Sequence, residues 1–164
     1  MGEVVLYRID ERLIHGQVMT AWLGTMRAEN IAIIDDVLSK DPFMQSIFKM
    51  AVPSEISVNI LSIDDAVNIL KEQSIKKRTI VLMKTIKTAA RLIDAGVNMD
   101  SINLGGIGAA AGRKPFYKNV FASQEEVEIL KKLVEEDIDI YYQVVPEQSE
   151  VPIKKILSDK GVKM

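Results

Sequence analysis

The sequence predicts an α/β fold with an open, mostly parallel central sheet of about six or seven strands and helices on both faces. Short apolar runs alternate with helical patterns along most of the 164 residues, which is typical of parallel strands joined by crossover helices. The first two runs, at 4–9 and 31–34, are almost continuously apolar, as expected for strands buried on both faces. Connections are short and no linker interrupts them, so we expect one domain over residues 1–164.

Each predicted element is bounded by a local signal. The strands are predicted at 4–9, 31–34, 56–61, 79–83, 101–104 and 139–145, with a further short strand at 116–121. The helices are predicted to begin near Gly16 and at Asp41-Pro42, Ser62, Thr85 and Ser123, and the last covers 152–159. Side chains that cap a helix, or a proline in its first turn, favour such starts. In the second helix the apolar residues recur at helical spacing until Pro53 ends it, and they are Phe43, Met44, Ile47, Phe48 and Ala51.

Composition limits the class of protein. Hydrophobic residues at 48% and charged residues at 27% are typical of a soluble globular chain. A net charge of −2 gives no indication of general nucleic-acid binding, and the absence of cysteine excludes disulfides and thiolate metal sites. No apolar run approaches the roughly 18 residues of a membrane span, and there is no secretory signal. We therefore expect a cytoplasmic protein that would serve a membrane process only by docking.

The junction between the first strand and the first helix carries the strongest chemical signal. It holds the only histidine, His15, with Arg8 and Arg12 seven and three residues before it. Neutral imidazole, with a pKa of about 6.5, is a good nucleophile near pH 7 and can hold a phosphoryl group as phosphohistidine. The planar fork of Arg12 suits phosphate oxygens, and amides near Gly16 would add anion stabilisation. Asp10 is interpreted as a group that orients an arginine or the imidazole.

Other polar residues also follow predicted strand ends. They are Asp35-Asp36, Lys84 and Gly105-Gly106. Ligands of open α/β sheets bind outside the carboxyl ends of the strands, but the strand order that would bring these residues to His15 is not readable from the sequence. Asp36 is interpreted as a residue that caps the next loop or pairs with a loop arginine, and Lys84 as either a source of positive potential or a solvated lysine.

Other interpretations of these positions are possible, but the sequence gives each of them less support. His15 could be an ordinary polar loop residue, and a single histidine excludes a histidine metal cluster. Residues 106–111 fit a loose dinucleotide fingerprint, but Arg113-Lys-Pro115 follows where that motif needs a helix. An acidic pair such as Asp35-Asp36 could bind a divalent metal, as in a receiver domain, but here it follows the second strand instead of the first. Serine-triad chemistry lacks its Gly-x-Ser-x-Gly motif.

Residues 8–18, which read RIDERLIHGQV, resemble the active-site loop of the enzyme IIB components of the mannose/fructose/sorbose family of the sugar phosphotransferase system (PTS). The resemblance extends over essentially the whole chain. Further similar segments are Asp35-Asp36, Lys84-Thr85, 103–106 and 143–146. Residues 107–115 match the family less closely, so a role for Arg113 or Lys114 does not follow from it.

The resemblance implies a phosphocarrier. His15 would accept a phosphoryl group on Nδ1 from the phosphohistidine of a IIA partner and deliver it to a sugar held by the membrane components IIC and IID. Arg12 and the amides of Leu13, Ile14 and Gly16 would hold the phosphoryl oxygens, with Arg8, Asp10, Gln17, Asp36 and Lys84 in support. We expect no cofactor, no metal and no nucleic-acid partner, and a homo-oligomer stays open. The alternative hypothesis is a non-catalytic interaction or regulatory module on the same fold.

Overall fold

The computed structural model describes residues 2–163. The strands are β1 (Val4–Ile9), β2 (Asn30–Ile34), β3 (Ser57–Leu61), β4 (Thr79–Met83), β5 (Ser101–Leu104), β6 (Lys114–Tyr117), β7 (Val120–Ala122), β8 (Asp139–Tyr142) and β9 (Val151–Pro152). The helices are α1 (Gly16–Met26), α2 (Pro42–Met50), α3 (Ile63–Lys71), α4 (Ile86–Asp94), α5 (Gln124–Glu135) and α6 (Ile153–Asp159), and a 3₁₀ turn (Leu38–Lys40) precedes α2.

Seven strands form the central sheet in the order β3-β2-β4-β1-β5-β8-β9. All neighbouring pairs are parallel except β8 and the short β9. The chain starts at the centre with β1, moves outward to β2 and β3, returns through β4 and then crosses β1 to reach β5 and β8. The connections that leave β1 and β5 therefore lead in opposite directions, which makes the carboxyl ends of these two strands a topological switch point.

Helices cover both faces of the sheet, as predicted. On one face the buried side chains of α1 and α2, among them Trp22 and Phe48, pack on Leu6, Ile33 and Leu82 of the sheet. On the other face, buried residues of α3, α4, α5 and α6 pack on the opposite side chains of the same strands. The two apolar layers alternate along β2 and β4, and the almost continuously apolar runs of such strands result from this burial on both sides.

Most boundaries of the predicted elements are confirmed to within a residue or two. Ser62, Thr85 and Ser123 cap α3, α4 and α5 with their side-chain oxygens, and Ser123 and Glu126 form the predicted capping box. Asp41 caps α2 in front of Pro42. These helices begin where a short polar side chain can accept a backbone hydrogen bond, which is a signal that the sequence itself contains.

The prediction of a single strand at 116–121 was wrong. The segment forms an antiparallel hairpin of β6 and β7 outside the main sheet, because the chain reverses at Lys118, whose φ is 46°. The last parallel strand also ends at Tyr142 and not at Val145. The carbonyl groups of Gln143 and Val144 accept hydrogen bonds from the Arg8 side chain instead of continuing a ladder.

The apolar pattern of α2 predicts the helix correctly but does not identify its buried side. Phe48 is buried and Met44 is half-buried, whereas Phe43 and Ile47 are exposed and Ala51 lies past the helix end. This helix therefore has apolar residues on two sides, one against the sheet and one outward. None of the helices within residues 2–163 combines the length and the apolar character that crossing a bilayer would demand.

Candidate active site

The loop after β1 leaves the sheet at the switch point and is hydrogen-bonded to the strands on both sides. The amide of Asp10 donates to the carbonyl of Met83 at 3.0 Å, on the β4 side, and the amide of Glu11 donates to the carbonyl of Gly106 at 2.9 Å, on the β5 side. The amide of Leu13 closes a turn onto the carbonyl of Asp10 at 3.0 Å, with a left-handed φ of 58° at Leu13. The turn places His15 at the N-cap of α1.

Asp10 lies between two arginines at the centre of the site. Its Oδ2 is 2.9 Å from Nη2 of Arg8 and 3.2 Å from Nη2 of Arg12. Its Oδ1 accepts from the backbone amide of Arg12 at 3.0 Å and from Nε of the same residue at 3.2 Å. The side chains of Arg8 and Asp10 are fully buried, while that of Arg12 is 49% exposed. Arg12 is therefore held in its orientation by the buried Asp10, and the other side of its guanidinium is open to solvent.

The buried guanidinium of Arg8 joins β1 to the end of β8. Its Nη1 donates to the side-chain oxygen of Asn103 and, at 3.0 Å, to the carbonyl of Gln143. Its Nη2 donates to the carbonyl of Val144 at 3.2 Å, an oxygen that also accepts from the indole of Trp22 at 2.9 Å. The guanidinium carbon also lies 5.4 Å from the centroid of the Trp22 ring. Several elements thus fix Arg8, which itself fixes Asp10.

The electrostatics of the cluster keep Asp10 ionised. Burial alone raises the pKa of this carboxyl, but the hydrogen bonds from Arg12 and the charge of Arg8 outweigh it, and the pKa lies below its usual value. A buried carboxylate needs this compensation, because an unpaired buried charge costs several kcal/mol. Two cations and one anion leave the cluster with a positive charge, which suits a phosphoryl group.

His15 lies half-buried above this cluster, with 19% of its side chain exposed. Its Nδ1 is 3.1 Å from the carbonyl oxygen of Leu13, so a neutral ring in this orientation carries its proton on Nδ1. Its Nε2 is buried, 3.9 Å from Asp10 Oδ2, and has no hydrogen-bond partner within residues 2–163. Burial lowers the pKa of His15, Asp10 opposes the change, and the net shift is downward. The ring is therefore neutral at pH 7.

The N-terminus of α1 supplies amides next to the imidazole. Gly16 and Gln17 are the first two residues of this helix, and both are exposed. His15 is the N-cap residue but makes no side-chain capping bond within the described chain, so these amides face outward, as in an anion site. The amide of Leu13 is already donated to Asp10, and the side chains of Leu13 and Ile14 are buried in the core. The side chains of these two residues therefore shape the loop, and the Leu13 amide is engaged within it.

The glycines after β5 allow the cluster to pack closely. A Cβ at residue 105 would lie 2.5 Å from both Arg8 Nη2 and Asp10 Oδ2, and a Cβ at residue 106 would lie 3.4 Å from Arg12 Nη2. The following loop is fastened to the site by Glu11, whose carboxylate accepts from the amide of Gly108 at 2.7 Å and lies 3.5 Å from Arg113. The loop after β5 therefore lies directly beside Arg12.

Asp36 and Lys84 are not part of this cluster. Asp36 accepts from the amide of Ile63 at the start of α3 at 2.8 Å and lies 3.6 Å from Arg91. Its arginine partner therefore belongs to helix α4 and not to a loop. Lys84 follows β4, is exposed and forms no ion pair within residues 2–163. The structure thus brings together His15, Arg12, Asp10, Arg8 and the start of α1, and leaves the other two at the same edge of the sheet.

Metal and nucleotide chemistry have little support in these residues. Within the part of the chain that the structure describes, no three or more His, Cys, Asp or Glu side chains are grouped as metal ligands would be. The glycine-rich segment after β5 leads into the β6–β7 hairpin and not into a helix, so the dinucleotide geometry is missing.

Sequence reasoning did not assign a contact to several residues that build the site. Asn103 and Gln143 belong to segments that resemble the family, but only the structure shows that both hold Arg8. Trp22 lies in the core, where its indole also donates a hydrogen bond to the carbonyl of Val144. Nothing in the sequence links Glu11 to Arg113, because 102 residues separate the two.

Comparisons with known proteins support the resemblance of the sequence. The family described as PTS system sorbose subfamily IIB component matches residues 4–164. An N-acetylgalactosamine-specific phosphotransferase enzyme IIB component from Escherichia coli K12 is 27% identical over 157 residues, 96% of this chain and 100% of that protein. The IIBSor domain of the Klebsiella pneumoniae sorbose permease superposes with a TM-score of 0.88 at 26% identity, covering 96% of this chain and 97% of that one. A mannose-specific EIIAB component from E. coli is 25% identical over 160 residues, 97% of this chain but 46% of that protein.

Proposed function

Because the chain belongs to the family of PTS sorbose-subfamily IIB components, which are phosphotransferases of sugar uptake, we propose that it is a phosphocarrier acting through His15. In this proposal His15 accepts a phosphoryl group from a phosphorylated IIA partner and passes it to a sugar bound by the membrane components IIC and IID. The observation that carries it is a neutral imidazole at the N-terminus of α1, next to a half-exposed arginine that a buried carboxylate orients.

The transfer exchanges one nitrogen–phosphorus bond for another. The lone pair of the His15 ring attacks phosphorus, and the bond to the donor imidazole breaks with its electron pair returning to the donor nitrogen. Charge on the three equatorial oxygens is then stabilised by the Arg12 guanidinium and the first amides of α1. In the second transfer the sugar hydroxyl forms the new oxygen–phosphorus bond, and its proton is taken up by a base of the sugar-binding partner. The bond between phosphorus and the His15 nitrogen breaks with its electron pair returning to the ring, which becomes neutral again.

Use of Nδ1 as the accepting atom requires a turn of the ring. In the present orientation Nδ1 points at the carbonyl of Leu13, at 3.1 Å. Transfer to Nδ1 needs the ring proton on Nε2 and the lone pair of Nδ1 directed at the donor. The carboxylate of Asp10, 3.9 Å from Nε2, is placed to accept the Nε2 proton in a hydrogen bond after a small rotation. Asp10 would thus have two roles. It would hold His15 in the reactive tautomer, and it would also orient the side chain of Arg12.

The proposal is tested by phosphorylation with the general PTS proteins, phosphoenolpyruvate and a cognate IIA donor. We expect an acid-labile, base-stable adduct on His15, located by mass spectrometry of peptides kept at alkaline pH. The His15→Ala variant should bind its partners like the parent but lose sugar phosphorylation. Full sugar phosphorylation by His15→Ala would instead identify the chain as a non-catalytic binding module.

The role of Arg12 gives a second test. We expect Arg12→Ala to slow phosphoryl acceptance about a hundredfold, because a charge-matched donor to the transferring oxygens is lost. Stability should fall by no more than about 1 kcal/mol, since the side chain is half-exposed and Asp10 keeps Arg8. Arg91→Ala is the matched control, because Arg91 is also exposed and paired with an aspartate. Rapid-quench transfer rates equal for parent and Arg12→Ala would exclude a phosphate-binding role.

A further inference from the structure

The exposed apolar side chains are concentrated in one short segment. All four large apolar residues that are exposed within residues 2–163 lie between positions 37 and 50: Val37, Phe43, Ile47 and Met50. Phe43 is 71% and Met50 is 85% exposed. Phe43, Ile47 and Met50 follow each other at intervals of four and three residues on α2, so they form one outward stripe along the helix. A grouped set of this kind marks an interaction surface, unlike single exposed apolar residues.

The other helix on this face of the sheet, α1, carries no charge. None of the eleven residues of α1 is charged, and its exposed positions hold small or uncharged polar residues: Gly16, Gln17, Thr20, Gly24 and Thr25. The helices on the opposite face are different, since each of α3 to α6 carries several charged residues. Depletion of charge together with exposed Phe, Met and Ile is the composition of an interface core.

The surface begins at the proposed nucleophile. Both α1 and α2 follow strands of the parallel sheet, so both begin at its carboxyl edge, and their buried residues belong to one apolar layer on one face. His15 is the N-cap of α1, and Phe43 lies in the first turn of α2. We call this surface the α1–α2 face: the exposed residues of α1 together with Val37, Phe43, Ile47 and Met50.

Three exposed cations lie at the helix ends of the α1–α2 face. Arg27 ends α1, Lys40 precedes α2 and Lys49 lies in its last turn, and all three are exposed. The ammonium of Lys49 also donates to the carbonyls of Ser54 and Ile56. The carboxylate of Asp41 is engaged in capping α2. With Arg12 half-exposed next to His15, this side of the molecule is complementary to a partner that has an apolar centre, an acidic rim and a phosphoryl group.

We propose that the α1–α2 face is the docking surface for the phosphoryl donor domain. This inference rests on the proposed function, because it identifies the donor as the partner that must bring its phosphohistidine to His15. His15 is only 19% exposed, so a donor has to seat closely on the surface around it. The E. coli mannose-specific EIIAB component combines A and B parts in one polypeptide, and the match to this chain covers 46% of that protein. A face of one apolar stripe and three cations suits the transient contact that such neighbours need.

Binding is measured first without chemistry. The unphosphorylated IIA donor is titrated into the parent chain and into the Phe43→Ser/Met50→Ser variant by isothermal calorimetry. We expect the double variant to bind about tenfold or more weakly, because central aromatic and methionine anchors dominate the affinity of an interface. Both side chains are largely exposed, so the melting temperature should be close to that of the parent.

A charge pair supplies the matched control. Lys40→Glu reverses a cation on the α1–α2 face and should weaken donor binding severalfold, with a smaller loss at high salt. Lys154→Glu makes the same change at an exposed lysine of α6, on the opposite face, and should bind the donor like the parent. If both variants lost the same donor affinity, the effect would come from the net charge of the chain, and the α1–α2 face would not be the docking surface.

The outcomes separate this inference from the proposed function. If the donor binds the parent and the double variant equally well, the docking surface is wrong even when His15 is phosphorylated. The docking surface is also wrong if the variants bind the donor normally but lose sugar phosphorylation with vesicles that contain IIC and IID. It is likewise wrong if the only property they lose is a self-association seen by sedimentation. If donor binding is weakened as expected but His15 takes up no phosphoryl group, the surface is supported and the proposed function fails.

Discussion

Asp10 is the residue on which the charges of the site depend. It is fully buried and neutralised by one fully buried and one half-exposed arginine. Removal of its charge would leave Arg8 as a buried unpaired cation, which is the costly case among ion pairs. The carboxylate also lies 3.9 Å from His15 Nε2. One side chain therefore sets the orientation of the phosphate-binding arginine and the electrostatic environment of the nucleophile.

The direction of the His15 shift gives a pH prediction. Burial and the two arginines lower the pKa of this imidazole, although Asp10 and the Leu13 carbonyl act in the opposite direction. The neutral ring is the nucleophile, so the rate of phosphoryl acceptance should be constant near pH 7 and fall only as the pH drops below about 6.5. Because His15 is the only histidine, a ¹H–¹³C NMR titration of its ring follows this pKa without assignment work.

The Asp10→Asn variant is the informative companion of that titration. It removes the anion that raises the pKa of His15 and keeps both arginines, so the midpoint should move to still lower pH. A midpoint at or above 6.5 in the parent chain, or an upward shift in Asp10→Asn, would contradict this description of the site.

At the scale of elements, the close approach of β5 to β1 is what encloses the ion pair. A Cβ at residue 105 would lie 2.5 Å from Arg8 Nη2 and from Asp10 Oδ2, both buried. Gly105→Ala should therefore separate the pair or displace β5 and cost about 3 kcal/mol in the free energy of unfolding. Urea unfolding followed by the fluorescence of Trp22 measures this change.

Gly24→Ala is the control for that substitution. Gly24 lies inside α1, and a Cβ there would meet no other atom within 4 Å. Alanine should stabilise the helix by about 0.5–1 kcal/mol through its higher helix propensity. If both variants changed stability in the same direction and by similar amounts, the close contact at residue 105 would not be the cause.

Elements with local signals were predictable from the sequence, and elements that depend on distant partners were not. The capped helices and the apolar strands β1, β2, β4 and β5 follow from their own residues. The early end of β8 depends on Arg8, 135 residues away, which captures the carbonyl of Gln143. The outward apolar stripe of α2 has the same spacing as a buried one, so periodicity alone could not identify it.

The same division holds for the site. The proximity of Arg12 to His15 is local and was predicted as a phosphate-binding pair. The buried pair of Arg8 and Asp10 was predicted only as general support, because burial is a property of the assembled sheet. Asp36 follows a strand like the other site residues, but the sheet order places β4 between β2 and β1, and Asp36 has its partners on α3 and α4.

At the scale of the whole molecule, the site lies at the centre of the sheet, where the strands are hydrogen-bonded to neighbours on both sides. β1 is hydrogen-bonded to β4 on one side and β5 on the other, and all five residues of β4 are buried. Within residues 2–163, the β6–β7 hairpin that follows the loop beside Arg12 forms no strand pairing besides its own ladder and an isolated bridge to Ile107. The central strands of the sheet thus hold the loop that carries His15, while the β6–β7 hairpin, which has fewer strand partners, lies beside that loop.

This arrangement predicts an order of amide exchange. The amides of β4 should exchange only through global unfolding, so their exchange free energy should equal the unfolding free energy from urea titration. The amides of the β6–β7 hairpin should exchange through local opening, at a free energy lower by about 2 kcal/mol or more, because fewer strands protect them. Hydrogen–deuterium exchange followed by NMR compares the two sets in one sample. Equal protection of both would mean that the hairpin unfolds only together with the sheet, and the site would then be rigid on every side.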